Sequence, residues 1–155
     1  MIQFHLIMKD SPINSQQQDS ITNISELKQL AENFRQERNW QQFHTPKDNA
    51  IAVAAEAGEL VQHFRYKTNE EIQAFLQNPI KKQQISHEMA DVFWGLLYLS
   101  IDMDIDLTAA FKEKLKVTAL KYPIEKTKGI NKKYTELDNL SDIKPNDKKP
   151  TKEVF

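Results

Sequence analysis

Two stretches of the 155-residue chain carry residues that can do chemistry, IAVAAEAGELVQHF at 51–64 and ISHEMADVFWGLLYLSI at 85–101. Each sets two carboxylates three residues apart, Glu56 with Glu59 and Glu88 with Asp91. On a helix, positions i and i+3 share a face, so each pair points one way. From Ile51 to Phe64 these glutamates are the only acids, and from Val92 to Ile101 there is no charge at all. Carboxylates in apolar surroundings are costly unless a cation compensates them. A single ExxE pair is as a rule a solvated helix face. Two pairs facing each other across a bundle make an oxygen-rich site for a hard divalent cation. His63 shares the face of Glu56 and Glu59, as a further ligand or as an ordinary histidine of an amphipathic face.

The helices that must position these groups are marked by their caps. Asn23 with Glu26 has capping-box spacing, and Leu27, Leu30, Ala31 and Phe34 recur at helical spacing behind it. Thr45-Pro46-Lys47-Asp48 predicts a second helix start, running to about Tyr66 with both glutamates on board. Gly58, mid-helix, is expected to let another backbone approach. Thr68 with Glu71 opens a short third helix through Leu76, and Asn78-Pro79 a fourth to about Ile101. The second half of that fourth helix is apolar on all sides, which predicts a central position, a subunit interface, or both. Asp102 to Asp106 reads as a turn with helix-capping acids. A fifth helix covers about Leu107 to Tyr122, with an apolar stripe of Phe111, Leu115, Ala119 and Tyr122 flanked by Lys114 and Lys121. Residues 1–22 read as an arm, 23–123 as one helical domain, and 124–155 as a Lys-rich loop and polar tail. The fold class expected is all-α, a bundle of four to five helices.

Composition narrows the chemistry. The chain has no cysteine, so no disulfide or thiolate metal site. Net charge is −1, yet residues 112–155 hold 12 lysines against 7 acids. A near-neutral chain is a poor general nucleic-acid binder, and its basic third suits a solvated tail or a small polyanion. The longest uncharged apolar run is about half the roughly 20 residues of a membrane helix, and the N-terminus lacks a signal-peptide pattern. A cytoplasmic, membrane-free protein is expected. His87-Glu88-Met89-Ala90-Asp91 departs from HExxH, with aspartate where the second histidine belongs, and no phosphate-cradling glycine loop is present. An all-oxygen donor set favours magnesium, or manganese, over zinc or iron. Trp40 and Phe43 read as core aromatics, and His44, just before a helix start, can turn its ring toward a cleft.

At this point the chain resembles the MazG-like nucleotide pyrophosphatases, and within them the branch of the dCTP pyrophosphatases. The resemblance rests on Glu37 to His44 (ERNWQQFH), Glu56 to Leu60 (EAGEL), Glu88 to Val92 (EMADV), Lys121-Tyr122-Pro123, and Lys132 to Leu137 (KKYTEL). It implies hydrolysis of a nucleoside triphosphate to monophosphate and pyrophosphate. It implies Mg²⁺ held by Glu56, Glu59, Glu88 and Asp91, and a homo-dimer or tetramer with sites built partly between subunits. Glu56 or Glu59 would position the water, Trp40 would line the base pocket with His44 nearby, and Lys114 and Lys121 would reach phosphates. Three positions depart from the branch: Ala31 stands in place of a histidine, Gly95 in place of a tyrosine, and Tyr66, which can still stack on a base, in place of a tryptophan. These bear on base preference, not on the carboxylates. A non-catalytic helical interaction module, or a different diphosphate substrate, are the other readings.

Overall fold

The structure is a computed structural model that describes residues 18–137. Seven α-helices occur among the described residues, with no strand: α1 (Gln18–Ile21), α2 (Ile24–Glu37), α3 (Pro46–Gln62), α4 (Asn69–Leu76), α5 (Pro79–Asp102), α6 (Leu107–Lys121) and α7 (Ile124–Thr127). A single 3₁₀ turn covers Tyr134–Glu136. The all-α expectation is met. The arm expected over 1–22 lies outside the described residues up to 17, as does the tail beyond 137. None of the described helices is long and apolar enough to cross a membrane.

Cap chemistry sets the helix starts. Asn23 and Glu26 close a reciprocal capping box on α2, as Thr68 and Glu71 do on α4. Thr45 caps α3 with Pro46 in the first turn, and Asn78 accepts from the amides of Ile80 and Lys81 at the head of α5. Each bond satisfies a donor that the helix itself leaves orphaned. The end of α3 differs from expectation, since the helix stops at Gln62 and not near Tyr66. Tyr66 takes a φ of 60°, a left-handed conformation that no helix can continue through.

The chain divides into two compact units after Leu107. In the first, α5 packs chiefly on α3 and also on α2 and α4. Its core gathers Ala31, Leu97 and Tyr98, with Ile24, Leu27, Trp94, Ile101 and Leu107 packed around them. A polar clamp joins three helices beside that core. Arg35 of α2 is 4 % exposed and grips Asp102 of α5 through two bonds of 2.8 and 3.0 Å. It also donates to Glu32 at 2.6 Å. Asn49 of α3 donates to the same Asp102 at 3.0 Å. Burial opposes the Arg35 charge, but the hydrogen bonds and charges of Asp102 and Glu32 outweigh it and hold the guanidinium protonated. Asp102 is thus a part-buried acceptor for Arg35 and Asn49 and not the capping acid of a turn.

Two further expectations are corrected. Among the described residues, and apart from the helix's own backbone, nothing lies within 4 Å of the place a Gly58 side chain would occupy. The close approach occurs at Gly95, where an added Cβ would sit 2.5 Å from Val53 Cγ2. The apolar half of α5 is not buried all round either: Met89, Phe93 and Leu96 are exposed while Leu97, Tyr98 and Ser100 are buried. One stripe of the helix meets the core, and another stays exposed among the described residues.

In the second unit, α6 buries none of its residues. Its predicted stripe is therefore open at Phe111 and Leu115. The segment expected as a Lys-rich loop contains the single turn α7 and the 3₁₀ turn. Thr127 Oγ1 donates to the carbonyl of Pro123 at 2.8 Å. Tyr134 meets the ring of Tyr122 edge-on at 6.0 Å.

Two stability tests follow. Asp102→Ala leaves Arg35 buried with only Glu32 beside it and should cost about 2–4 kcal/mol in urea unfolding followed by circular dichroism. Gly95→Ala should cost about 1–3 kcal/mol by overpacking, and Val53→Ala in the same chain should recover part of that loss. Independent, additive costs would contradict the close contact.

Candidate metal centre

Glu56 and Glu59 on α3 and Glu88 on α5 each offer one carboxylate oxygen to a cluster whose atoms lie within 4.8 Å of one another. Glu56 and Glu88 are half-buried and Glu59 is exposed. Oxygens on opposite sides of an octahedral magnesium ion stand about 4.2 Å apart. The three carboxylates therefore fit a hard cation after a small side-chain rotation. Asp91, one turn from Glu88, is not in that tight cluster. It shares the wall of an adjoining cavity with Glu56 and adds its charge there. His63 lies beside the cluster, its Nε2 3.9 Å from Glu88 Oε1. This makes His63 a neighbour of Glu88, outside the cluster of three oxygens.

The electrostatics show what the cluster lacks. Partial burial first, and then the charges of Glu59, Asp91 and Glu88, push the Glu56 carboxyl above its ordinary range. A group so crowded by like charge wants either a proton or a cation. An all-carboxylate donor set answers that with magnesium or manganese.

The cavity beside the carboxylates has a volume of about 200 Å³. That is below the roughly 300 Å³ at which pockets for whole drug-sized ligands begin, and it suits one planar ring. Its walls include Phe43, His44, Asn49, Trp94 and Tyr98 as well as Glu56 and Asp91, and Gly95 contributes bare backbone. The aromatic groups form a chain of contacts. Phe34 meets Trp94 edge-on at 4.9 Å, and His44 lies 5.3 Å from Tyr98 and 5.7 Å from Trp40. The Tyr98 hydroxyl donates to the Ala31 carbonyl at 3.1 Å. His44 Nδ1 is buried and has no hydrogen-bond partner among the described residues.

The structure brings some of the residues expected from sequence together and leaves others apart. Glu56, Glu59 and Glu88 converge, with Asp91 and His44 on the adjoining cavity. Trp40 touches His44 without lining the cavity, and it is half-exposed, not a core aromatic. Tyr66 is 88 % exposed under the guanidinium of Arg65, away from the cavity wall. Lys114 and Lys121 belong to α6 in the second unit, where the Lys121 ammonium lies 5.3 Å from the centre of the Tyr134 ring. Sequence reasoning missed Asn49, Trp94 and Tyr98 as cavity walls. The apolar run around Trp94 and Tyr98 looked like core, and Asn49 looked like one more polar residue of a first turn.

The raised Glu56 gives a pH test. The folded protein holds that proton more tightly than the unfolded chain, so ionised Glu56 costs stability once the pH climbs past its ordinary value of 4.5. In EDTA, the melting temperature of Glu56→Gln relative to the parent should rise between about pH 4 and pH 7. Added Mg²⁺ should close the gap by stabilising the parent. A gap that is flat in pH would contradict the crowding.

Comparison with known proteins agrees with this geometry. Residues 51–137 match the MazG-like family. The chain is 31 % identical over 114 residues to dCTP pyrophosphatase 1 of Homo sapiens, covering 74 % of this chain and 67 % of that protein. The Bos taurus protein of the same name is 30 % identical over 114 residues, covering 74 % and 68 %. Among solved structures, a pyrophosphatase from Archaeoglobus fulgidus superposes with a TM-score of 0.60 at 32 % identity, covering 64 % of this chain and 92 % of that one. The chain belongs to the MazG-like family of all-α nucleotide pyrophosphatases, on its dCTP pyrophosphatase-like branch.

Proposed function

We propose that the protein is a Mg²⁺-dependent nucleoside triphosphate pyrophosphatase that cuts the α–β phosphoanhydride bond of a (d)NTP, dCTP or a modified nucleotide, to give monophosphate and pyrophosphate. The observation that carries this reading is the convergence of Glu56, Glu59 and Glu88 oxygens within 4.8 Å, with Asp91 beside Glu56 at the cavity. The names of the dCTP pyrophosphatase relatives support the substrate class. In this reading residues 23–123 form the catalytic domain, working in the cytoplasm to clear unwanted nucleotides from the pool, with no nucleic acid or membrane as partner.

A magnesium or manganese ion held by Glu56, Glu59, Glu88 and Asp91 would supply the positive charge that neutralises the triphosphate and polarises its α-phosphorus. The chain's own groups do the rest. Glu56 or Glu59 accepts the proton of a water placed against the α-phosphorus, and the new P–O bond forms as the bond to pyrophosphate breaks. The base enters the ring-sized cavity, with Trp40 and His44 at its edge. Tyr66, Lys114 and Lys121 are assigned to the nucleotide in an assembled homo-oligomer. Open apolar side chains on α3 (Ile51, Val61) and α5 (Met89, Phe93, Leu96) support a dimer or tetramer, since a lone chain seldom leaves so much apolar surface uncovered. The same surface serves the alternative of a non-catalytic interaction module, but such a module has no use for the carboxylate cluster.

Products of a panel of (d)NTPs, resolved by ion exchange, test the reaction. Monophosphate and pyrophosphate should form with Mg²⁺ and vanish with EDTA. Glu59→Gln and Asp91→Asn should each reduce turnover by at least about a thousandfold, the scale set by losing one preorganised charge-stabilising group, with the helical dichroism unchanged. Release of orthophosphate, or full activity in either variant, would overturn the proposal.

A further inference from the structure

Of the close acid–base pairs among the described residues, a single one reaches any of Glu56, Glu59, Glu88 and Asp91, and it is His63 with Glu88. His63 is the C-cap residue of α3, and its backbone is still helical at φ −64° and ψ −25°. It therefore keeps the face of Glu59, four residues earlier. Its amide donates to the Leu60 carbonyl at 3.2 Å, which ties the backbone to the last turn of the helix. The ring is backed from α4 by Phe75, with centroids 6.2 Å apart. Phe75 is itself flanked by the ammoniums of Lys67 and Lys81, at 5.4 and 5.6 Å from its ring centre. The imidazole thus stands between an aromatic ring of α4 and a carboxylate of α5.

Two other roles for this histidine do not match its place. Its nitrogens are not among the ligand atoms that gather within 4.8 Å, so it does not belong to the tight oxygen set. It does not line the cavity either. What it faces is Glu88, with Nε2 3.9 Å from Oε1 and each side chain 21 % exposed. An N–H to oxygen bond spans about 2.7–3.2 Å, so the pair stands roughly 1 Å short of one. A turn about the side-chain torsions of Glu88 covers a gap of that size. Glutamate is long and rotamer-rich, and holding its carboxylate in one orientation costs entropy unless a neighbour fixes it. Carboxylates that bind metals are commonly fixed in this way by a hydrogen-bond donor behind them.

We propose that His63 is a positioning residue for Glu88, donating from Nε2 to its carboxylate and holding it in the orientation that a divalent cation needs. The inference rests on the metal-dependent reading above. A neutral imidazole suits the task because it offers an N–H without adding a positive charge. A lysine or arginine at the same place would repel the cation that the acids gather. Phe75 completes the arrangement by limiting how far the ring can turn, which gives α4 a part in the centre although it carries no ligand.

The test is Mn²⁺ binding to the full chain at neutral pH, read from the electron paramagnetic resonance of the free and bound ion, with no nucleotide present. His63→Leu should weaken Mn²⁺ by at least about tenfold, the scale on which such outer partners act. His63→Gln, which returns an N–H at similar reach, should recover part of that loss. In EDTA, His63→Leu should melt close to the wild type, because leucine keeps apolar bulk against Phe75. Pulsed resonance of the bound ion should show no strong nitrogen coupling in the wild type. Unchanged Mn²⁺ affinity in His63→Leu, no recovery in His63→Gln, or a strong nitrogen coupling lost in His63→Leu would each overturn the inference, the last by making His63 a ligand. Glu59→Gln separates this failure from that of the wider reading. If Glu59→Gln loses Mn²⁺ while His63→Leu keeps it, the positioning role alone falls. If wild type and Glu59→Gln hold or lack Mn²⁺ alike, the carboxylate centre falls with it. The resonance of the wild-type protein bears on the inference even where a variant fails to fold.

Discussion

Repulsion among Glu56, Glu59 and Glu88 is the constraint that the first unit is built to withstand. Three carboxylate oxygens within 4.8 Å resist being brought together, and Asp91 adds to the charge at Glu56. Two helices must hold them there before any cation arrives. The contact at Gly95 lets α5 settle against Val53 of α3 at a distance no side chain would allow. The capped starts of α3 and α5 fix where each helix begins, and therefore which turn carries each acid. The site's position is a consequence of these local choices, and its charge is a cost they jointly cover.

A second polar system stands beside the apolar core. Arg35, Asp102, Glu32 and Asn49 form a network in which the charged groups meet opposite charges or neutral donors. It links α2 to α3 and α5, the two helices that supply most of the cavity wall. Such a network contributes less to net stability than an apolar cluster of the same size would, because its desolvation is expensive. What it adds is direction, since each hydrogen bond tolerates one arrangement. The chain therefore separates two tasks. In the proposed reading the carboxylate cluster would handle phosphate and cation, and the adjoining cavity the rest of the ligand.

What could be read from sequence followed the range of the interaction. Asn23 with Glu26 and Thr68 with Glu71 were legible because a capping box is complete within four residues. The carboxylate pairs were legible because three-residue spacing on a helix is a statement about one face. The partnership of Arg35 with Asp102 was not, since 67 residues separate them and each alone looks like an ordinary surface charge. Gly58 drew attention by sitting between two glutamates, yet the glycine that allows close packing is Gly95, and only the facing Val53 reveals it. The apolar half of α5 predicted burial on all sides, yet among the described residues Phe93 and Leu96 stay exposed, because a pattern of apolar residues does not say which neighbour covers each face. Tyr66 ends outside the cavity because a left-handed backbone at that residue breaks the helix expected to carry it.

The central claim is that the acids of α3 and α5 share one divalent cation with the nucleotide. The measurement that meets it most directly is anomalous diffraction from crystals grown with Mn²⁺ and a dCTP analogue whose α–β bridging oxygen is replaced by a methylene group. The account predicts a manganese peak ligated by oxygens of Glu56, Glu59, Glu88 and Asp91 and by the analogue's phosphates. A peak bound elsewhere, or phosphates seated with no metal among these four carboxylates, would contradict it.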